Sequence, residues 1–331
     1  MEVLVLNAEE VTRLLPMPEC IQVMRGALTA LARGEALVPL RMIMRVPGAN
    51  GFLGLMPSYI SPGDGRDDVL GFKAVLVFPA NAKRGIDTHQ GAVLLFEADT
   101  GRLSALMDGA AITAIRTAAV SAVATDLLAR PDSVEVAILG AGVQARTHIE
   151  AIAAVRPLRR VRIWSRNLDR AAALALEQGS HFNFPVEAET SAEAAVRGAD
   201  IVATVTASAE PILQRGWLKE GVHINAVGSS IPTSREIDTS TMAAARLFVD
   251  RRESALAEAG DLLIPMLEGA VKSDHVQAEL GEVLTGKNPG RRSPRELTLF
   301  KSLGLAVEDV ASAAYVVRRA RETHTGQTVK M

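Results

Sequence analysis

The pattern of hydrophobic and polar residues changes near residue 134. From there, short apolar runs alternate with alanine-rich stretches of helical period; the runs cover residues 134–139, 161–164, 201–205, 222–227 and 247–249. Apolar runs of this length, separated by helices, are typical of the buried strands of a parallel sheet. We therefore predict a doubly wound α/β domain in the second part of the chain.

The earlier part of the chain has a different pattern. Asn7 and Glu10 have the spacing of a capping box, and a second helix is expected from Pro18 to a terminal glycine, Gly34. Closely spaced strands without intervening helices predict a mixed, largely antiparallel sheet after these two helices. The runs of β character lie at 38–46, 52–56, 69–78, 92–97 and 103–107.

The end of the chain has a third pattern. Residues 297–322 have a helical pattern with Gly304 inside it, and residues 324–331 are polar, as in a frayed terminus. We predict a helical tail without regular structure after it. The predicted fold class is therefore α/β, with a Rossmann-type doubly wound parallel sheet and a second, mixed and largely antiparallel sheet.

Composition narrows the class of protein. The chain has 331 residues, 48% of them hydrophobic, which is enough for two domains with full cores. Lys and Arg number 36 against 38 Asp and Glu, a net charge of -2, so no excess charge favours nucleic acid or an anionic membrane as a partner. We expect a small-molecule partner.

Several features bear on localisation. The N-terminus lacks the basic start and apolar core of a signal peptide, and no apolar run approaches the roughly 20 residues of a membrane span. The single cysteine, Cys20, lies in a helical apolar pattern, which favours a buried hydrophobic role over a nucleophilic one. We predict a cytoplasmic protein.

A glycine-rich turn follows the first strand of the predicted parallel sheet. Gly140 to Ala145 reads Gly-Ala-Gly-Val-Gln-Ala, a G-x-G-x-x-A pattern between a strand and a helix. In this pattern the first glycine allows the tight turn, Gly142 lets the backbone approach a pyrophosphate, and the alanine allows close helix packing. The context favours dinucleotide binding, with Val143 and Gln144 at the site, over a glycine-rich turn without a ligand.

The end of the second parallel strand bears on the choice of dinucleotide. An NAD-preferring site usually has Asp or Glu here, but this chain has Ser165, Arg166 and Asn167. Arg166 is suited to a 2′-phosphate, and its neighbours add hydrogen bonds. We predict NADPH as the cofactor, with NADH as the second option; the alternative is a solvated surface arginine.

Arginines in the run 38–46 are the first candidate ligands for an anionic substrate. The even positions of this run are apolar, so Arg41 and Arg45 share the other face of the predicted strand. That face points either to a ligand or to water.

Two further cations lie in apolar surroundings. Lys73 is part of a run that is apolar on both faces, and Arg116 heads a helical stripe. A buried cation needs an anion, so both residues predict either a bound carboxylate or a structural ion pair with an acid such as Asp108. The stripe below Arg116 consists of Val120, Val123 and Leu127.

The histidines offer little chemistry. His89 precedes the strand at 92–97 and is a candidate proton donor, although a histidine at a strand start more often packs or forms hydrogen bonds. The others have no metal-ligand spacing with cysteines or carboxylates, so we predict no metal site.

In its ordered motifs the chain resembles the ornithine cyclodeaminase and μ-crystallin family over nearly its whole length, most closely the μ-crystallin, ketimine reductase side. The stretches that carry the resemblance are Gly54-Leu55-Met56-Pro57, Gly71-Phe72-Lys73, His89-Gln90, Val93 to Glu97, Met107-Asp108-Gly109, Ile112-Thr113-Ala114, Arg116 to Ala119, Gly140 to Ala145, His223 to Gly228, Glu279 to Glu282, Lys301 to Gly304 and Glu308-Asp309.

The resemblance implies a homodimer. Residues 1–115 with 305–331 would form a substrate-binding and dimerisation domain, and residues 116–304 a Rossmann NAD(P)-binding domain. It also implies that Arg41, Lys73 and Arg116 bind the substrate carboxylate. Together with the glycine motif it gives these expected cofactor positions: Thr117, Gly140, Gly142, Val143, Gln144, Ser165, Arg166, Asn167, Thr206, Val227, Gly228, Ser302 and Gly304.

One position separates two activities that the resemblance implies. Cyclodeaminases have an aspartate just after the strand end at Gly228, where this chain has Ser230. A serine lacks the acid–base group that ammonia elimination requires, whereas hydride transfer to a protonated cyclic imine needs mainly orientation. We therefore expect an NAD(P)H-dependent reductase of Δ1-pyrroline-2-carboxylate or Δ1-piperideine-2-carboxylate. The alternatives are an alanine dehydrogenase or related amino-acid dehydrogenase, an ornithine cyclodeaminase, and a non-catalytic NADPH-binding protein.

Overall fold

The computed structural model describes residues 2–48, 50–61 and 68–331. The chain forms two compact units. The first contains the residues up to Arg116 together with Gly304–Met331, and the second contains Thr117–Leu303. Each junction lies one residue from the limit that the resemblance implies.

The regular elements are numbered in chain order. The strands are β1 (Glu2–Leu6), β2 (Ala36–Leu37), β3 (Met42–Val46), β4 (Gly51–Ile60), β5 (Val69–Val77), β6 (His89–Phe96), β7 (Leu103–Asp108), β8 (Glu135–Leu139), β9 (Arg160–Trp164), β10 (Val186–Ala188), β11 (Ile201–Thr204), β12 (His223–Ala226), β13 (Arg246–Val249), β14 (Val276–Glu279), β15 (Thr298–Lys301) and β16 (Gln327–Lys330). The helices are α1 (Ala8–Leu14), α2 (Met17–Arg33), α3 (Gly109–Leu128), α4 (Val143–Ala153), α5 (Leu168–Gly179), α6 (Ala192–Val196), α7 (Thr239–Ala244), α8 (Arg252–Glu258), α9 (Gly260–Leu267), α10 (Leu280–Leu284) and α11 (Ala306–Glu322).

The first unit is a mixed sheet with helices on one face. Its strand order is β16-β1-β7-β6-β5-β4-β2, and β3 pairs with β4. The β1–β7 pair is parallel, whereas the chain from β2 to β7 pairs antiparallel. Helix α11 packs on β4, β5 and β6 and against α2. The prediction of a mixed, largely antiparallel sheet is confirmed.

The first helix begins and the second helix ends where local chemistry predicts. The N–H of Glu10 donates to the Asn7 side chain at 3.0 Å and the N–H of Asn7 donates to the Glu10 carboxylate at 2.9 Å, which completes the capping box. Helix α2 ends at Gly34 in the left-handed conformation, with φ 76°.

The continuous strand predicted over 38–46 is wrong. The segment between β2 and β3 is irregular, and Arg41 lies in it, just before β3. Pro39 has no N–H to donate to a ladder, which disfavours a strand through this position. The apolar positions of β3 are also not buried by this chain, since Met42 and Met44 are 60% and 57% exposed.

The predicted helical tail is confirmed over Ala306–Glu322, but its predicted start at residue 297 and the terminus without regular structure are wrong. Residues 298–301 form β15, and Gly304 adopts φ 77° in the turn before α11, outside any helix. Periodicity over so few apolar residues does not distinguish a buried strand from a helix. The polar terminus forms β16, which pairs antiparallel with β1 through the backbone, an interaction that side-chain composition does not reveal.

The second unit contains a parallel sheet of eight strands within the described residues, in the order β10-β9-β8-β11-β12-β15-β13-β14. Strands β8 and β11 at its centre are buried over their whole length, as their largely apolar sequence predicts. The chain runs from β8 outward to β9 and β10, then returns to β11 on the other side. The carboxyl ends of β8 and β11 therefore form a topological switch point, where doubly wound folds bind ligands. The predicted doubly wound sheet is confirmed.

Helix α3 overturns the expectation that no apolar run approaches the length of a membrane span. It has 20 residues, and its most apolar 18-residue window has a mean hydropathy of 1.4, so by length and composition alone it could cross a membrane. However, 72% of its most apolar window is buried inside the protein. Packing in the interior accounts for its apolar composition, as in the core helix of a globular domain.

Candidate active site

The glycine-rich turn lies at the switch point of the parallel sheet. Gly140 follows β8 with φ 137°, and a Cβ there would lie 2.9 Å from the carbonyl oxygen of Val205. A Cβ on Gly142, at the start of α4, would meet no atom within 4 Å. Ala145 is fully buried against the sheet. The turn therefore leaves open space before the first N–H groups of α4, as a bound pyrophosphate requires.

A buried histidine supports the first turn of α4. Val143 is 60% exposed, and Gln144 is half-buried. The Nδ1 of His148 lies 2.7 Å from the Gln144 carbonyl oxygen, and its Nε2 lies 2.9 Å from the Ser121 hydroxyl. Burial lowers the pKa of His148 to about 4. The ring is therefore neutral at pH 7 and links α4 to α3.

The three residues after β9 differ in what they offer. Asn167 caps α5, since its Oδ1 accepts the N–H of Arg170 at 3.0 Å. The Ser165 hydroxyl accepts the N–H of Asn167 at 3.3 Å. Arg166 is exposed. Of the three side chains, Arg166 is the one suited to reach a group bound outside this strand end.

Four other expected cofactor positions lie at the carboxyl ends of β11, β12 and β15. Thr206 follows β11, and Val227 and Gly228 follow β12. Ser302 follows β15, and its N–H donates to the Ala226 carbonyl at 3.0 Å. These ends lie on the same edge of the sheet as the glycine-rich turn. A fifth expected position, Thr117, is buried in α3.

In the first unit, two buried cations share one buried carboxylate. Lys73, in β5, is 2% exposed, and its Nζ lies 2.8 Å from Oδ2 of Asp309 and 3.2 Å from the Thr113 hydroxyl. Arg116, in α3, is 4% exposed; its Nε donates to Oδ1 of Asp309 and its Nη1 to Glu308, both at 2.8 Å. Both acids lie fully buried in the first turn of α11.

The structure therefore contains the ion pair that was the alternative to a bound carboxylate, but with different acids. Asp108 does not take this place: its Oδ1 accepts the N–H of Ala111 at 2.7 Å, at the start of α3. Glu308 and Asp309 of α11 are the acids that pair with the two cations.

The ion pairs do not neutralise the cluster. The cluster contains three cations, Lys73, Arg116 and Arg41, and the two acids of α11. Its formal charge is therefore about +1. Burial lowers the pKa of Lys73 to about 8, against the attraction of Asp309. Most of the lysine remains protonated at pH 7. The net charge matches one ligand carboxylate.

Gly304 joins the two arginines of this cluster. The Nη2 of Arg41 donates to the Gly304 carbonyl at 3.1 Å. A Cβ on Gly304 would lie 2.4 Å from Nη1 and 3.0 Å from Cζ of Arg116. The glycine thus lies directly against the guanidinium, where a larger residue would displace it. Sequence reasoning expected Gly304 to contact the cofactor; in the structure it contacts the proposed carboxylate ligands.

The two remaining candidate catalytic residues, His89 and Ser230, form fewer contacts than the buried cations. His89 begins β6, with its Nδ1 3.1 Å from the Thr88 hydroxyl, and desolvation lowers its pKa from the usual value, helped by the charge of Lys73. It is therefore mostly neutral at pH 7. Ser230 is exposed in the segment after β12. No group of three His, Cys, Asp or Glu side chains suited to a metal ion occurs among the residues that the structure describes.

Sequence reasoning missed Asp309 as the partner of both cations. Asp309 heads a buried stripe of α11 with the i, i+4, i+7, i+11 spacing that singled out Arg116 on α3. The same argument applied to the last helix would have found it. The stripe below it is Ala313, Val316 and Ala320.

Comparison with known proteins supports one family. The model of the ornithine cyclodeaminase/mu-crystallin family matches residues 1–324. The chain is similar to ketimine reductase mu-crystallin of Mus musculus, with 42% identity over 315 residues, which covers 94% of this chain and 95% of the relative.

Solved structures agree over the whole chain. One similar structure is Thermococcus litoralis Δ(1)-pyrroline-2-carboxylate reductase in complex with NADH and L-proline, with TM-score 0.95, 39% identity, and coverage of 99% of this chain and 100% of that chain. Another is an archaeal alanine dehydrogenase dimer with bound NAD, with TM-score 0.93, 30% identity and coverage of 100% of both chains.

The contact between Gly304 and Arg116 generates a prediction with an internal control. Gly304→Ala introduces a Cβ into the guanidinium, whereas Gly34→Ala imposes the same left-handed strain, about 1–2 kcal/mol, where no atom lies within 4 Å. We expect Gly304→Ala to weaken binding of pyrrole-2-carboxylate, a planar ring carboxylate, at least tenfold at saturating NADPH. Gly34→Ala should lower the melting temperature without changing this affinity. If calorimetry finds equal affinities for pyrrole-2-carboxylate in both variants, the expected contact between Arg116 and the ligand carboxylate is contradicted.

Proposed function

The chain belongs to the ornithine cyclodeaminase/mu-crystallin family, and we propose that it catalyses NAD(P)H-dependent reduction of a small cyclic 2-imino acid to the L-amino acid. The substrates that best suit the cluster of the first unit are Δ1-pyrroline-2-carboxylate and Δ1-piperideine-2-carboxylate. Each has one carboxylate next to a carbon–nitrogen double bond.

The observation that carries this proposal is the buried, positively charged cluster around Lys73 and Arg116. Asp309 already bonds both side chains, so their positions do not depend on a ligand. A carboxylate that enters this cluster meets cations that have lost most of their hydration, which strengthens the interaction relative to water. A protein that only binds NADPH does not need such a cluster, so its presence disfavours the non-catalytic alternative.

The second unit has the features that a dinucleotide requires: the open N-terminus of α4, the close turn at Gly140 and the strand ends beside it. When bound, a reduced nicotinamide supplies hydride to the imine carbon. Arg41, Lys73 and Arg116 would fix the substrate carboxylate and thereby orient the carbon that is reduced. Fixing the reactant in this way supplies a large part of the rate enhancement.

The groups suited to proton transfer are few, which favours a protonated imine as the substrate. His89 is mostly neutral at pH 7 because its pKa is lowered, so we do not assign it the role of proton donor. Ser230 can orient a substrate nitrogen but cannot take up a proton near neutral pH. Reduction of a preformed protonated imine needs neither residue as an acid or a base.

We propose NADPH as the preferred cofactor. Arg166 is exposed beyond β9, where a 2′-phosphate would accept its hydrogen bonds, and the two neighbouring residues carry no charge that would repel a phosphate. The Thermococcus relative was solved with NADH, so the preference is a property to measure in this chain.

A homodimer is the proposed assembly, and the free face of the first sheet supports it. The face opposite α11 is apolar yet half exposed: Phe72 stacks on Phe96 at 5.9 Å, and β3 adds the exposed Met42 and Met44. An exposed apolar sheet of this kind marks an interaction site. The alanine dehydrogenase relative is a dimer. We therefore propose that a second copy of this chain packs on this exposed sheet face.

A cytoplasmic location is also proposed. Cys20 is buried, and burial raises the pKa of its thiol to about 12. The thiol therefore stays protonated, and the single cysteine of the chain has no partner for an internal disulfide, which is in keeping with a reducing compartment.

The reaction is tested by a substrate panel. We expect fast NADPH oxidation with Δ1-pyrroline-2-carboxylate or Δ1-piperideine-2-carboxylate, slow oxidation with pyruvate plus ammonium, and negligible ammonia from ornithine. Absorbance at the nicotinamide band and an ammonia assay measure the two outcomes. Ammonia release from ornithine at a rate comparable with imine reduction would restore the cyclodeaminase alternative, and fast reaction with pyruvate plus ammonium would restore the dehydrogenase alternative.

Cofactor preference is tested at Arg166. Arg166→Asp should weaken NADPH about tenfold or more and reverse the order of NADPH and NADH, because a carboxylate repels a 2′-phosphate and accepts from a 2′-hydroxyl. Arg197→Asp makes the same charge change at an exposed residue after α6 and should leave the preference unchanged. Equal affinity of the parent protein for both cofactors would show that Arg166 is a surface charge.

The dimer is tested on the free sheet face. Light scattering should give twice the mass of the chain, and Phe72→Glu should give a single chain because it charges the interface. The matched control, Leu176→Glu, changes an 81% exposed leucine of the second unit and should leave the dimer intact. A parent protein with the mass of one chain would refute the assembly.

A further inference from the structure

A buried glutamate joins the carboxyl ends of two parallel strands in the second unit. Glu236 is fully buried in the segment between β12 and α7. Its Oε1 accepts the N–H of Thr206 at 2.7 Å and the Thr206 hydroxyl at 2.6 Å, and its Oε2 accepts the N–H of Gly228 at 2.8 Å. Thr206 follows β11 and Gly228 follows β12, so one carboxylate fixes the backbone just beyond two neighbouring strands.

The backbone of Glu236 is held by a second buried acid. Oδ1 of Asp261 accepts the N–H groups of Glu236 at 2.7 Å and of Ile237 at 3.0 Å, and its Oδ2 lies 3.0 Å from Nζ of Lys301. Lys301, at the end of β15, also donates to the Ala226 carbonyl at 3.1 Å. The three charged side chains are fully buried. This network ties together the ends of β11, β12 and β15.

The carboxylate of Glu236 fits closely against bare backbone. A Cβ on Gly228 would lie 2.6 Å from the carboxylate and 2.0 Å from the Thr206 carbonyl oxygen. Burial raises the pKa of Glu236, while the bonds from Thr206 favour the ionised form. Burying an ionised carboxylate costs free energy, and three hydrogen bonds donated to the carboxylate offset that cost here. These three hydrogen bonds lie at the edge of the sheet where ligands bind in this class of fold.

We propose that Glu236 is a positioning residue for the dinucleotide. Its carboxylate holds the segments at Thr206 and Gly228 in the arrangement that binds NAD(P)H, without touching the cofactor itself. The inference rests on the NAD(P)H binding proposed above. It assigns a role to a residue outside the glycine-rich motif and outside the cation cluster of the first unit.

The test compares substitutions that preserve size or charge. Glu236→Gln replaces one carboxylate oxygen with an amide NH2, which must face an N–H of either Thr206 or Gly228. Glu236→Asp keeps the charge but is one methylene shorter, so it cannot reach both residues. We expect at least a tenfold rise in the Kd for NADPH in both variants, measured by nicotinamide fluorescence. The KM for the imino acid at saturating NADPH should change less than about twofold.

Asp200→Asn is the matched structural control. Asp200 is a buried acid of the same unit whose Oδ2 accepts the N–H groups of Val134 at 2.9 Å and Glu135 at 3.0 Å, at the start of β8 and thus at the opposite edge of the sheet. This variant should lower the melting temperature but leave the Kd for NADPH unchanged.

Three results would decide against the inference. The first is NADPH binding in both Glu236 variants that equals the parent value. The second is that Asp200→Asn loses as much NADPH affinity as the Glu236 variants when all of them lose the same melting temperature. A general loss of stability would then explain the weaker binding. The third is a parallel rise in the KM for the imino acid. If Glu236→Gln does not fold, Glu236→Asp and the control decide by the same comparison. A parent protein that does not bind NADPH would instead contradict the proposed function.

Discussion

The carboxylate of Asp309 is the contact on which the first unit and its chemistry depend. It holds Lys73 on one side and Arg116 on the other, each at 2.8 Å, in a place that water barely reaches. Removing the carboxylate would leave two buried cations with only Glu308 to balance them, which is far more costly than the loss of a surface ion pair. The sheet, the long helix α3 and the last helix therefore assemble around a fixed electrostatic arrangement.

This arrangement also explains why the two ends of the chain belong to one unit. Asp309 lies 236 residues after Lys73 and 193 residues after Arg116. The acids sit in the first turn of α11, where the helix dipole favours negative charge, and Gly304 turns the chain into that helix against the guanidinium of Arg116. Because the protein's own acids position its cations, an incoming carboxylate meets a preorganised site and does not have to order flexible side chains.

Sequence patterns predicted the features whose signals are local. The parallel sheet, the capping box at Asn7 and the turn at Gly140 each follow from short-range spacing, and the burial of Lys73 and Arg116 follows from the apolar residues around them. The burial of Asp309 follows from the helical spacing of apolar residues in α11, but its pairing with Lys73 and Arg116 does not, because that pairing joins elements far apart in sequence. Strands β1 and β16 were missed because they pair with each other through the backbone, from opposite ends of the chain. The role of Gly304 depends on a distance of 2.4 Å that no spacing rule contains.

The central claim is that the cluster around Asp309 binds the substrate carboxylate, and Lys73→Met tests it most directly. Methionine fills a similar volume without charge, so the apolar surroundings of β5 are preserved while the ammonium is lost. The measurement is kcat/KM for reduction of Δ1-pyrroline-2-carboxylate together with the Kd for NADPH. We predict a loss of about a hundredfold or more in kcat/KM, with the NADPH affinity within about twofold of the parent. Unchanged turnover, or a loss of NADPH binding as large as the loss of turnover, would contradict the account.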